Sequence, residues 1–166
     1  MNKGRVLTEL RRSLDLIHPC FDWPMDRLAK SYAPGKWTAR QILVHLVDSE
    51  LVFGARFRHI VAEPQVAVVP FDQDRWMKTL IPTQRVLRHS QKMFVGLRET
   101  LMELVDYLPE PLLAREGKHP EKPSYRAWDI ANYAATHVLH HYGQLVAIQE
   151  GIPWTPRPDA PDPDQP

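Results

Sequence analysis

The chain is poor in cysteine and glycine, almost without net charge, and free of long hydrophobic runs. Its single cysteine, Cys20, excludes an intrachain disulfide and fits a reducing, cytoplasmic setting. With 21 basic and 20 acidic residues the net charge is +1. That leaves no footprint for a polyanion, so nucleic acid is not an expected partner. The longest apolar runs, such as Ile42-Leu43-Val44, are far too short to span a membrane, and no membrane association is expected. The opening MNKGRVLTELRR lacks the apolar stretch of a signal peptide. At 166 residues, 43% hydrophobic and 25% charged, the chain has material for one core but not two.

What is abundant is proline. Sixteen prolines stand against 7 glycines, about twice the ordinary proline share. They avoid four blocks, residues 2–18, 38–63, 83–108 and 124–152. Because proline clashes with a helix interior and removes a donor, these blocks predict four helices. The first carries Leu7, Leu10, Leu14 and Ile17 at amphipathic spacing. The third carries Leu87, Phe94, Leu97, Leu101, Leu104 and Leu108, with Pro82 and Thr83 at its start. The fourth aligns Ile130, Ala134, His137, His141, Leu145 and Ile148, with Ser124 as the expected N-cap and Gly151 then Pro153 as the stop.

The second block is apolar around most of its circumference. Leu43, Leu46, Val47, Phe53, Gly54, Phe57 and Val61 share a broad face, behind an expected N-cap at Thr38. Such a helix is normally buried on two sides. Helices of similar length favour an all-α, antiparallel four-helix bundle. The joints, at about 15 to 20 residues, exceed the roughly 2–8 usual in bundles, so they should carry short elements or function. Segment 64–82, with Phe71, Asp72, Gln73, Asp74 and Trp76, suits a short helix. Segment 109–123 holds four prolines and His119. Residues 1–152 are expected to form the bundle. Residues 153–166 read as a proline-rich tail, from which Trp154 could dock on the body.

Of eight histidines, His137 and His141 stand out. Four apart, they stack one helical turn above the other, at the centre of an apolar face. Unpartnered imidazoles there would each cost about 1–3 kcal/mol, which a metal or a buried polar network would offset. No Glu follows His137 to make H-E-x-x-H, and Glu116-x-x-His119 falls in the proline-rich joint. Periodicity does not single out a third ligand. His45 lies well round from the centre of the second block's apolar face, beside Ile42, Ser49 and Val52. It reaches the fourth helix only if its own helix is packed on both sides. Glu50 falls inside that apolar stripe and needs a partner, for which Arg56 and Lys36 are candidates.

Two segments carry a resemblance. Trp37-Thr38-Ala39-Arg40-Gln41-Ile42-Leu43-Val44-His45-Leu46-Val47-Asp48-Ser49-Glu50 is similar to the first signature of the DinB/YfiT-like family. There a tryptophan precedes a helix with the first metal histidine and a short acidic stretch. His137-Val138-Leu139-His140-His141-Tyr142-Gly143-Gln144 is similar to the second, a late His-x-x-x-His followed by glutamine. The resemblance spans about residues 5–152 and implies a bundle with a tris-histidine site. It assigns His45, His137 and His141 as metal ligands. His140 is one position off and should point about 100° away. Asp48 and Gln144 are candidates to orient an imidazole. Glu50 and Asp48 are the candidate catalytic carboxylates. Trp37 and Trp76 read as packing residues, and Cys20 as structural.

The resemblance also implies chemistry. Its members are associated with hydrolysis and with transfer to low-molecular-weight thiols. Three neutral ligands leave the full charge on a divalent ion, which activates water or a thiol. The expected cofactor is a divalent metal, zinc or nickel first, with iron or manganese as alternatives. The expected partner is a small-molecule substrate, with a low-molecular-weight thiol and a homodimer also implied. The alternative is a non-enzymatic, metal-stabilised stress or interaction protein with the same bundle. An enzyme should leave a coordination position open toward a cleft, where a structural site would be closed by a fourth protein ligand.

Overall fold

A computed structural model describes residues 2–63, 67, 69–118 and 124–155. His119 and the tail from residue 156 onward lie outside the described residues. Four long helices form the body: α1 (Lys3–Ile17), α3 (Ala39–Ala62), α5 (Leu87–Tyr107) and α7 (Ala127–Glu150). The joints carry short elements, as their length demands. They are α2 (Met25–Leu28), α4 (Gln73–Thr79), α6 (Glu110–Leu113) and a two-stranded antiparallel ribbon of β1 (Glu116–Gly117) and β2 (Tyr125–Arg126). No helix among the described residues is long and apolar enough to cross a membrane.

The start of α3 follows from its sequence. Thr38 Oγ1 accepts from the Gln41 backbone N–H at 3.3 Å, and Gln41 Oε1 accepts from the Thr38 N–H at 2.9 Å. This reciprocal pair satisfies two donors that a helix start otherwise leaves open. The other starts differ from expectation. α7 begins at Ala127 rather than after Ser124, because Asp129 accepts the Arg126 N–H at 2.8 Å and caps the turn there. α5 begins at Leu87, while Pro82–Gln84 forms a separate 3-10 turn. Gly151, with φ 68°, closes α7 in the left-handed conformation that suits a residue without Cβ.

Each long helix has two long-helix neighbours. α3 packs on α5 and α7, and α1 packs on the same two, so α1 and α3 stand diagonally. Lys3 Nζ donates to the Asp106 carbonyl at the far end of α5, so α1 and α5 are antiparallel. His45 meets His137 while Phe53 meets Tyr133, so α3 and α7 are antiparallel too. α3 and α5 instead run in one direction, since Asp48 contacts Arg85, Glu50 contacts Arg98, and Arg58 contacts Thr100. The directions are therefore up, down, down, up. The chain leaving α3 must travel back along a helix about 36 Å long before α5 can begin, which explains the length of the joint at 63–86.

Every residue of α3 from Ile42 to Glu50 is buried, as a helix packed on both sides requires. The core joins these to Leu10, Leu14 and Ile17 of α1, Phe94 and Leu101 of α5, and Ile130, Ala134 and Leu145 of α7. Along α5 the buried stripe passes through Ser90, Phe94, Arg98, Leu101 and Val105. Leu97 and Leu104 are only partly buried, and the fully buried position next to Leu97 belongs to an arginine, Arg98.

Candidate metal centre

α3 contributes His45 from its second turn, and α7 contributes His137 and His141 from successive turns. All three are buried. Nε2 of His137 lies 3.2 Å from Nε2 of His45 and 3.2 Å from Nε2 of His141. One ligand nitrogen from each ring fits within a span of 4.8 Å. Two nitrogens bound about 2.0–2.1 Å from a tetrahedral centre stand about 3.4 Å apart, so the donor set fits a divalent ion of zinc size.

The electrostatics match that geometry. Burial first, then the neighbouring imidazoles, hold His45 and His137 well below the ordinary histidine range. Burial pushes His141 down to about 3, against the raising effect of Gln144. The Nδ1–H of His141 donates to Gln144 Oε1 at 2.8 Å, which leaves the lone pair on Nε2, facing His137. Ser49, one turn beyond His45, places its hydroxyl 3.3 Å from His45 Nε2. Neutral rings with inward lone pairs are what a metal ligand set requires.

The two acidic candidates are engaged elsewhere. Asp48 accepts from Nη1 of Arg85 at 2.7 and 2.8 Å, and no bond to His45, His137 or His141 accompanies that pair. Glu50 is paired with neither Arg56 nor Lys36. Its oxygens accept from Nε and Nη2 of Arg98 at 2.8 and 2.6 Å. Arg98 also donates to Ser13 Oγ and to the Ala134 carbonyl, so the cluster ties all four long helices together. A carboxylate held this way, on the side of α3 facing α5, is a packing anchor rather than a free base. Burial pushes the Glu50 carboxyl upward while Arg98 opposes it.

A model of the DinB superfamily matches residues 8–145. The chain belongs to the DinB superfamily. Among curated relatives of this member, a protein of Oceanobacillus iheyensis named "Putative metal-dependent hydrolase" is 26% identical over 139 residues, 84% of this chain and 80% of the relative. A Bacillus mycoides protein with the same description is 25% identical over 141 residues, again 84% and 80% of the two chains. In fold, the chain is similar to YfiT from Bacillus subtilis, described as "a probable metal-dependent hydrolase with an unusual four-helix bundle topology". The TM-score is 0.80 at 21% identity, covering 89% of this chain and 86% of that one.

Aromatic rings surround the centre of this DinB-superfamily chain. Trp37 lies 4.9 Å from the His45 ring, and Phe71 lies parallel to it at 6.3 Å. Trp76 closes on Phe71 edge-on at 4.9 Å. The His140 ring stands edge-on to His141 at 5.1 Å and to Trp154 at 4.8 Å, and Trp154 also contacts Tyr32. The Trp154 indole sits so close over Gly143 that a Cβ there would stand 3.0 Å from its Nε1. Sequence spacing alone had assigned no role to Ser49, Arg85 or Arg98. Ser49 was open to detection, since it follows His45 by one turn. The two arginines were not, because their partners lie 37 and 48 residues away.

Proposed function

We propose that this protein is a metal-dependent hydrolase acting on a small molecule, with a divalent ion held by His45, His137 and His141. The observation that carries this reading is the incomplete, neutral ligand set. Three buried imidazoles converge, and among the described residues no fourth His, Cys, Asp or Glu joins the group. Both carboxylates on the adjacent turn are drawn off by arginines. A closed structural site would have used one of them. When bound, the ion supplies positive charge that favours the deprotonated form of a water or thiol and polarises a substrate carbonyl. The chain's own residues orient and shield. Gln144 fixes the His141 tautomer, Ser49 contacts His45, and Trp37 and Phe71 flank the His45 ring. Zinc or nickel suits three imidazoles, and iron or manganese is the alternative.

The same centre would serve transfer to a low-molecular-weight thiol, and the test separates the two chemistries. Protein stripped of metal and reloaded with zinc is given a p-nitrophenyl ester, then a chlorodinitrobenzene electrophile with and without cysteine as the thiol. Ester cleavage that requires zinc and is lost in His137→Ala supports the hydrolase. Zinc-dependent thiol conjugation without ester cleavage assigns the transferase. Equal rates in stripped, reloaded and His137→Ala protein contradict both.

A further inference from the structure

Beyond the triad, α3 presents a second feature on the same side. His45, Ser49, Val52, Arg56 and His59 follow one another at spacings of four, three, four and three, a single stripe along the helix. The segment from Val69 to Trp76 faces the outer part of this stripe and encloses a cavity of about 260 Å³. Val52, Ala55, Phe71 and Trp76 give it apolar and aromatic walls, and Arg56 and His59 lie toward its far end. Arg56 Nη2 donates to the Val69 carbonyl at 2.7 Å, which holds the opposite wall against α3. His59 Nδ1 and Glu63 Oε1, 2.9 Å apart, form a polar rim at the helix end.

Phe71 belongs to both places. Its ring is parallel to His45 on one side and lines the cavity with Trp76 on the other. Val52 lies seven residues beyond His45, about 10 Å along the helix axis. A small molecule whose reacting bond is at the triad would therefore extend its remaining atoms past Phe71 into this space. Size and lining say what those atoms are. An apolar cavity of about 150 Å³ already accepts benzene, so this one has room for a ring with a short chain. Predominantly apolar walls with few polar groups are the usual composition of a small-molecule pocket.

We propose that the cavity between α3 and the Val69–Trp76 segment binds an aryl or short alkyl arm of the substrate, with Phe71 and Trp76 setting its size limit. The assignment to a substrate rests on the triad being the reaction centre, but the pocket's binding chemistry can be measured apart from it. Metal-loaded protein carrying 5-fluorotryptophan is titrated with ethylbenzene and followed by fluorine NMR, with Trp76 assigned from Trp76→Phe. A saturable shift of the Trp76 signal is expected. Ala55→Phe, at an exposed position that lines the cavity, should fill the space and weaken binding at least tenfold, and Val52→Phe should do the same. Circular dichroism checks that both variants are folded. No saturable shift, or unchanged binding in both folded variants, overturns the proposal. Metal content is measured in the same samples. Ethylbenzene binding in a protein that takes up no metal would contradict the triad as reaction centre and leave the pocket's chemistry standing.

Discussion

Gln144 accepts a 2.8 Å hydrogen bond from Nδ1 of His141, three residues earlier on α7. The bond chooses the tautomer that keeps the Nε2 lone pair facing His137 and His45. Partners that orient metal-binding imidazoles are typically worth 10–100-fold in affinity. Gln144→Leu should therefore weaken zinc binding about 10–100-fold in a competition titration against a chromophoric chelator. Asp48→Asn is the control. Its carboxylate serves Arg85 rather than an imidazole, so zinc affinity should stay at the wild-type level. The reverse pattern would move the orienting role from Gln144 to Asp48.

The Glu50–Arg98 pair makes a stability prediction. Both side chains are buried and well hydrogen-bonded. Removing one partner leaves a buried charge uncompensated, at a cost of about 3–5 kcal/mol. Arg98→Met should thus lower the urea midpoint sharply. Glu50→Leu combined with Arg98→Met should recover much of the loss, because an apolar replacement of both partners carries no stranded charge. A double variant as unstable as the sum of the singles would show that the helices depend on the ion pair itself.

Cys20 predicts a pH effect. Burial pushes its thiol from 9.0 up to about 11, with Arg27 pulling the other way. The raised value means that the neutral thiol is the form the fold accommodates. Its contribution is complete below pH 9 and is lost as the pH rises through about 11. Urea midpoints should fall more between pH 8 and pH 10.5 in the wild type than in Cys20→Ala. Alkylation by iodoacetamide at pH 8 should be slow in the native protein and fast in urea, since the thiolate is the reactive form. Equal pH dependence in the two proteins would contradict the shift.

The local signals in the sequence carried far, and the long-range ones did not. Proline placement marked four helices because proline acts through its own backbone, and the Thr38 cap needed only Gln41 three residues on. His137 and His141 were legible because i and i+4 meet whatever surrounds them. The starts of α5 and α7 were displaced because a 3-10 turn at Pro82–Gln84 and the Asp129 cap compete with Thr83 and Ser124. Leu97 outranked Arg98 in the hydrophobic pattern, yet Arg98 takes the core position because Glu50, Ser13 and the Ala134 carbonyl satisfy its guanidinium. Likewise, nothing local says that α3 and α5 run in the same direction. His45 was the hardest candidate to place because its inward aim depends on that packing, with α5 on one side of α3 and α7 on the other.

The central claim is that His45, His137 and His141 together hold one divalent ion. Elemental analysis of untagged wild-type protein, beside His45→Ala, His137→Ala and His141→Ala, tests it most directly. All four are equilibrated with zinc, desalted, and checked for folding by circular dichroism. The account predicts about one metal per wild-type chain, by the three-ligand stoichiometry of an open site, and loss of most of it in each variant. Metal content unchanged across the three folded variants, or a wild type that retains none, would contradict it.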